Sequence, residues 1–239
     1  MSTLSSLDRN ASVARIVLDH PECARVLREH RIDFCCRGEL SVWTACAGRG
    51  LDAAGVFADL EQAIAQRAEP DGDPRALSTP DLVERIVSRH HAFLRRTLPF
   101  VEQLSRKVAR VHGDHNRKLP TLADVVLELR EMLEPHLDDE ERTLFPALVA
   151  PRADLARVSN ELRTMRKEHL RVGEALTRMR TLADDYAIPD WACGSYRTLM
   201  RELETIETDT FAHVHVENHV LMPRFAPLDE AARPAACVD

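Results

Sequence analysis

His136-Leu-Asp-Asp-Glu140, inside HLDDEERTLFP (residues 136–146), has a counterpart in FAHVHVENHVLMP (residues 211–223). In each, a His is followed four residues on by a Glu, four further by a Leu, and ten after the His by a Pro. These are His136, Glu140, Leu144 and Pro146 in the first copy, and His213, Glu217, Leu221 and Pro223 in the second. Residues four apart on a helix project from one face. Each copy therefore sets an imidazole beside a carboxylate within an otherwise apolar stripe.

Outward from these pairs, the apolar residues keep steps of three and four. Leu129 and Leu133 lead to His136; Leu199, Leu203, Ile206 and Thr210 lead to His213, and Val220 follows Glu217. A third stretch runs Val158, Leu162, Met165, Val172, Leu176 and Met179, with His169 in the slot between Met165 and Val172. A fourth brings Val83, Val87, Leu94, Leu98 and Val101 to one face, with His90 and His91 at its middle. This period is helical, and strand-like alternation is absent. Four long helices are expected: Thr79 to about His112, with Pro99 as a kink; Thr121 to about Val149; about Ala153 to Tyr186; and Pro189 to about Met222. Short connections between such helices favour an up-down four-helix bundle, with rods about 45 Å long.

Composition supports an all-α chain, with only 8 Gly in 239 residues and 5% aromatics. EPDGDPRALS, residues 69–78, reads as a linker. It separates a small helical domain at 1–68 from the bundle at 79–226, and 227–239 forms a tail. In the first domain Asn10 is expected to cap one helix, Pro21 to sit in the first turn of another, and Asp52 to start a longer third. A net charge of -7 argues against nucleic-acid binding. No apolar run reaches membrane-spanning length, and MSTLSSLDRN lacks the features of a signal peptide, so a cytoplasmic location is expected. The six cysteines (23, 35, 36, 46, 193 and 237) form no CxxC pair and no disulfide framework.

Ligand-type side chains thus replace Leu at the centre of all four seams. Burying them uncompensated would cost several kcal/mol per charged group. A pair of dications, iron or manganese, would give each a partner, with the carboxylates bridging. His91 precedes His136 by 45 residues and His169 precedes His213 by 44, so each half supplies one His and one His-x-x-x-Glu. The expected ligands are His91, His136, Glu140, His169, His213 and Glu217. Periodicity alone accepts His90 or His91; the matched spacing favours His91. His215 and His219 are expected on the far side of their helix, and His20, His30, His112 and His115 are expected to be solvated. Adjacent Cys35 and Cys36, followed by Arg37, read as a helix start where the thiol pKa would be lowered, or else as ordinary buried residues.

The motifs RHHAFLRRTLP, HLDDEERTLFP, MRKEHLRVGEAL and HVHVENHVLMP, with D-F-C-C-x-G at Asp33 to Gly38, resemble those of one family. It is the Repair of Iron Centers di-iron family of the YtfE/ScdA type, and the resemblance covers nearly the whole chain. It implies an ScdA-like N-terminal domain, a hemerythrin-like bundle and a carboxylate-bridged non-haem di-iron centre. Iron ligands then fall on the six residues above, which selects His91 over His90. Cys35 and Cys36 would be redox or iron-transfer thiols, and Glu168 an outer or proton-relay group. Arg37 stands where some relatives have Gly. The implied function is repair of iron-sulfur clusters damaged by nitric oxide or oxidants, with iron-sulfur proteins as clients and nitric oxide or oxygen as small ligands. The competing readings are a nitric-oxide-reducing oxidoreductase, a sensor, or an oxygen carrier. Oxygen carriers of this type have five His and two carboxylates, whereas this repeat supplies four and two.

Overall fold

In a computed structural model of the protein, residues 7–66, 72–150 and 155–225 are described. The expected tail at 227–239, Cys237 and the first part of the linker lie outside them. Among the described residues there is no strand, only an isolated bridge between Ser12 and Ser41. The chain divides into two compact units: residues 1–76 with 214–220, and residues 77–213 with 221–239.

Among its described residues up to Gln66 the first unit carries the α-helices α1 (Val13–Asp19), α2 (Cys23–Glu29), α3 (Val42–Ala47) and α4 (Ala53–Ala65). Side-chain oxygens start three of them. Ser12 caps α1, Ser41 caps α3, and Asp52 takes the Ala54 and Gly55 amides at the head of α4. The α1 cap is therefore Ser12 rather than Asn10, whose own amide bonds Asp8. Pro21 lies just before α2 rather than in its first turn, because Glu22 holds the cap position. Ile16, Leu27, Val42, Phe57 and Leu60 fill the core, each at most 2% exposed. Phe34 to Gly38 is a run of bends and turns between α2 and α3, so no helix begins at the cysteines.

Among the described residues four helical rods follow, the last of them running on through residues 214–220. The first joins α5 (Thr79–Ile86) to α6 (Ala92–His112) through a π turn, Val87–His91. The second joins α7 (Leu119–Asp139) to α8 (Phe145–Val149) through a π turn, Glu140–Leu144. The third is α9 (Leu155–Leu182), and the fourth is α10 (Gly194–Val216), continued by a π turn, Glu217–Leu221. Leu98, Leu129, Leu176 and Leu203 come from the four rods in turn and belong to one apolar core. Ser78 caps α5 with Pro80 in its first turn, where the missing N–H costs nothing. The second rod begins at Leu119 rather than Thr121, with Pro120 at its start, and the fourth begins at Gly194 rather than Pro189.

The π turns were not foreseen, and they change the phase of the seams. A π turn closes an i→i+5 bond and holds one residue more than an α turn. Ala92 N–H bonds to Val87 O, and Phe145 N–H to Glu140 O. Ahead of the first π turn the buried residues are Leu82 and Ile86, with Val83 and Val87 only half-buried. The prolines of the shared tails help explain the other two turns. Pro146 and Pro223 have no N–H for the carbonyls of Arg142 and His219, so an α-type bond is missing there.

Candidate metal centre

His91, His136, Glu140, His169 and His213 converge at the middle of the second unit, each at most 5% exposed. They form two groups that share one carboxylate. Ligand atoms of His91, Glu140 and His213 lie within 4.8 Å of one another, and so do those of His136, Glu140 and His169. Glu140 Oε2 faces His91 Nε2 at 3.3 Å, and Glu140 Oε1 faces His136 Nε2 at 3.3 Å. His91 Nε2 and His213 Nε2 approach to 3.2 Å, which aims two ring nitrogens at one place. Glu217 stands one turn beyond His213 on the same continuous helix. It is fully buried.

Outer hydrogen bonds fix how two of these rings present themselves. His91 Nδ1–H donates to Glu141 at 2.9 Å, and His136 Nδ1–H donates to Glu168 at 2.8 Å. With Nδ1 carrying the proton, Nε2 is left bare as a lone-pair donor, which is the usual arrangement behind a metal-bound imidazole. The bond from His136 holds the Glu168 carboxyl below the usual carboxylate range, against the opposing effect of burial. Burial raises the Glu141 carboxyl, but His91 and Arg95 outweigh it and hold it low. Both groups are therefore anions that anchor the imidazoles.

The donor set fits a metal. Both oxygens of Glu140 and Nε2 of His136 are buried and make no hydrogen bond. A native core rarely tolerates three such atoms together without a partner. Nitrogen and oxygen donors of this kind suit iron or manganese, and no sulfur intrudes.

His90 follows a different course. It is buried, its Nδ1 pairs with Asp209 at 2.9 Å, and its ring stacks on His213 at 5.4 Å. It joins neither ligand group. Two other histidines depart from expectation. His20 is 5% exposed rather than solvated. His112 ends α6 and lies 3.1 Å from the Cys193 sulfur. His215 and His219 do leave the metal face, but they are engaged rather than idle. Within the first unit, His215 Nδ1 bonds to Phe34 O at 3.2 Å and His219 Nε2 to Cys35 O at 2.8 Å. Burial, with His219 beside it, pushes the His215 imidazole down to about 3 and keeps it neutral. Cys35 is buried and its thiol is pushed well up, chiefly by burial and further by Cys36 and Asp33, so the expected lowering is not found there.

Comparison with known proteins accords with this geometry. Residues 82–225 match the family model described as the hemerythrin HHE cation binding domain. Residues 9–64 match ScdA_N, a domain of unknown function, DUF542. The iron-sulfur cluster repair protein ScdA of Staphylococcus haemolyticus is 31% identical over 216 residues, 90% of this chain and 97% of that protein. The iron-sulfur cluster repair protein YtfE of Yersinia pseudotuberculosis is 31% identical over 218 residues, 90% of this chain and 96% of that protein. This chain belongs to the ScdA/YtfE family. Its hemerythrin segment contains all six expected ligands, and its ScdA_N segment contains Asp33, Cys35 and Cys36. Sequence reasoning about the family's motifs pointed to Glu168 but missed Glu141, Asn218, His215 and His219. Glu141 directly follows a ligand candidate, and that adjacency was the available signal.

Proposed function

We propose that His91, His136, Glu140, His169, His213 and Glu217 hold two irons, and that the protein repairs damaged iron-sulfur clusters by donating iron. The observation that carries this reading is the shared carboxylate: Glu140 turns one oxygen toward each group of imidazoles. The printed names of the relatives, iron-sulfur cluster repair proteins, supply the direction of the function. Two bound irons would supply redox capacity and open positions for nitric oxide or oxygen. Manganese fits the same donors.

The residues divide the work. Glu140 and Glu217 would supply the negative charge that bound cations need, and the four imidazoles would supply nitrogen donors. Glu141 and Glu168 orient His91 and His136 and keep the proton on Nδ1. The apolar seam above and below excludes water from the donor groups. None of the five described cysteines is in a disulfide, which suits the reducing cytoplasm we assign to the protein. No helix among the described residues is long and apolar enough to cross a membrane. Cys35 and Cys36 act as the thiols through which iron passes to an iron-sulfur client.

Isotopic transfer tests the reading. Protein loaded with a heavy iron isotope, mixed with a nitric-oxide-damaged iron-sulfur enzyme, should restore its activity and leave label in its cluster. The His136→Ala protein should do neither. Recovery without label, or steady nitrous oxide release with no iron transfer, would contradict donation.

A further inference from the structure

Asp33, Cys35 and Cys36 form a second cluster of metal-type donors, with ligand atoms within 4.8 Å of one another. Asp33 Oδ1 accepts the Cys35 N–H at 3.0 Å and the Cys36 N–H at 2.8 Å. The Cys35 thiol donates to the same oxygen at 3.2 Å, and the two sulfurs lie 3.6 Å apart. The carbonyls of the loop are tied down as well. Phe34 O accepts from His215, and Cys35 O accepts from both Asn218 Nδ2 at 2.9 Å and His219 Nε2 at 2.8 Å. Gly38 closes the loop so tightly that a Cβ there would meet Phe34 O at 2.5 Å and His219 Nε2 at 2.7 Å. With backbone amides and carbonyls engaged, the sulfurs and the carboxylate are what the loop offers a ligand.

The sulfur separation discriminates between two uses of the pair. Two thiolates on one tetrahedral cation, at about 2.3 Å each, stand about 3.8 Å apart. That is close to the 3.6 Å found. A disulfide needs sulfurs at about 2.05 Å and Cα atoms at least about 4.4 Å apart. Neighbouring residues across a trans peptide have only about 3.8 Å between Cα atoms. The loop is thus better set to share a cation than to close a vicinal disulfide.

We propose that Asp33, Cys35 and Cys36 bind one thiophilic divalent cation, ferrous iron as cargo, with Cys36 engaging first and Cys35 second. This rests on the iron-donation reading above and names the site through which the cargo passes. Cys36 is only partly buried, whereas Cys35 is 1% exposed, which sets the order. Two S–H bonds break, two sulfur–metal bonds form, and two protons leave to solvent; no electron moves. The Cys35 proton departs along the hydrogen bond it already makes to Asp33.

Cobalt(II), added without oxygen to the reduced full-length protein, reads the site directly. Thiolate-to-cobalt charge transfer absorbs in the near ultraviolet, and the imidazoles and carboxylates of the bundle cannot produce it. The expected result is one thiolate-bound equivalent in addition to the cobalt held by the bundle. Cys36→Ser should abolish the band and leave the bundle's cobalt in place. Asp33→Asn, checked for unchanged helix content, should raise the cobalt needed by about tenfold or more. A band that survives in Cys36→Ser, or no band although the bundle fills, would overturn the proposal. A thiolate band with no cobalt in the bundle would support this site and contradict the di-iron reading instead.

Discussion

Glu207 and Glu140 are both buried in the bundle, at 1% and 2% exposure, yet their surroundings differ. Glu207, on α10, accepts a hydrogen bond from Arg180 of α9 at 2.6 Å, and Arg180 reaches Asp185 at 2.8 Å. Its cation is encoded in the chain. Glu140 faces two imidazole nitrogens at 3.3 Å and hydrogen-bonds to neither. Its cation must come from outside. The first arrangement holds rods together; the second buries negative charge that a bound cation would balance.

Replacing each carboxylate should separate the two roles. Glu207→Ala leaves Arg180 without its main buried partner and should cost about 3–5 kcal/mol in chemical denaturation, with metal content unchanged. Glu140→Ala should instead abolish stable metal binding and leave the metal-free protein as stable as its parent, or more so. Equal losses of metal-free stability in both variants would break the comparison.

Metal removal comes next in size. Chelation should lower stability by about 3 kcal/mol relative to protein held at a hundredfold excess over its Kd, since only the folded state binds. Thermal melts with and without chelator check this, and Glu140→Ala should show no such difference. Loss of the outer anchors should have a smaller effect. Glu168→Gln and Glu141→Gln should each weaken metal affinity about 10–100-fold while leaving the fold intact, as competition with a coloured chelator would read.

Acid offers a separate test, read as a slope. The His215 imidazole lies at about 3 in the folded protein, against an ordinary value of 6.5. Between those values the unfolded chain binds the proton and the folded chain does not, so stability rises with pH. The contribution is complete above 6.5 and is lost as pH falls toward 3, by at most about 1.4 kcal/mol per pH unit. Denaturation midpoints of His215→Gln across this range should show a shallower acid slope. An unchanged slope would mean that His215 is not held neutral by its burial.

Much of this was legible in the sequence because a helix seam repeats. Val158, Leu162, Met165, Val172, Leu176 and Met179 are buried on α9, as their spacing requires, and His169 sits among them at 1% exposure. The same period placed His213 and Glu217 on one buried face. Periodicity gives an angle around a helix, not what lies at that angle. His215 and His219 were correctly turned away from the metal face, but the loop that their nitrogens meet comes from residues 34 and 35, far away in sequence. Helix starts were read less well because Asn10 and Ser12 can each cap a helix, while Thr121 can cap one and Pro120 can sit in a first turn, so packing chooses between the registers. The π turns escaped because an extra residue in a turn leaves only a slight phase shift, although Pro146 and Pro223 marked two of them.

The central claim is that Glu140 and its neighbours hold a pair of irons. Iron analysis joined to Mössbauer spectroscopy, on protein purified without oxygen, tests it most directly. The account predicts about two irons per chain, in a magnetically coupled pair with nitrogen and oxygen ligands. Fewer than about one iron per chain, or a single uncoupled site, would contradict it.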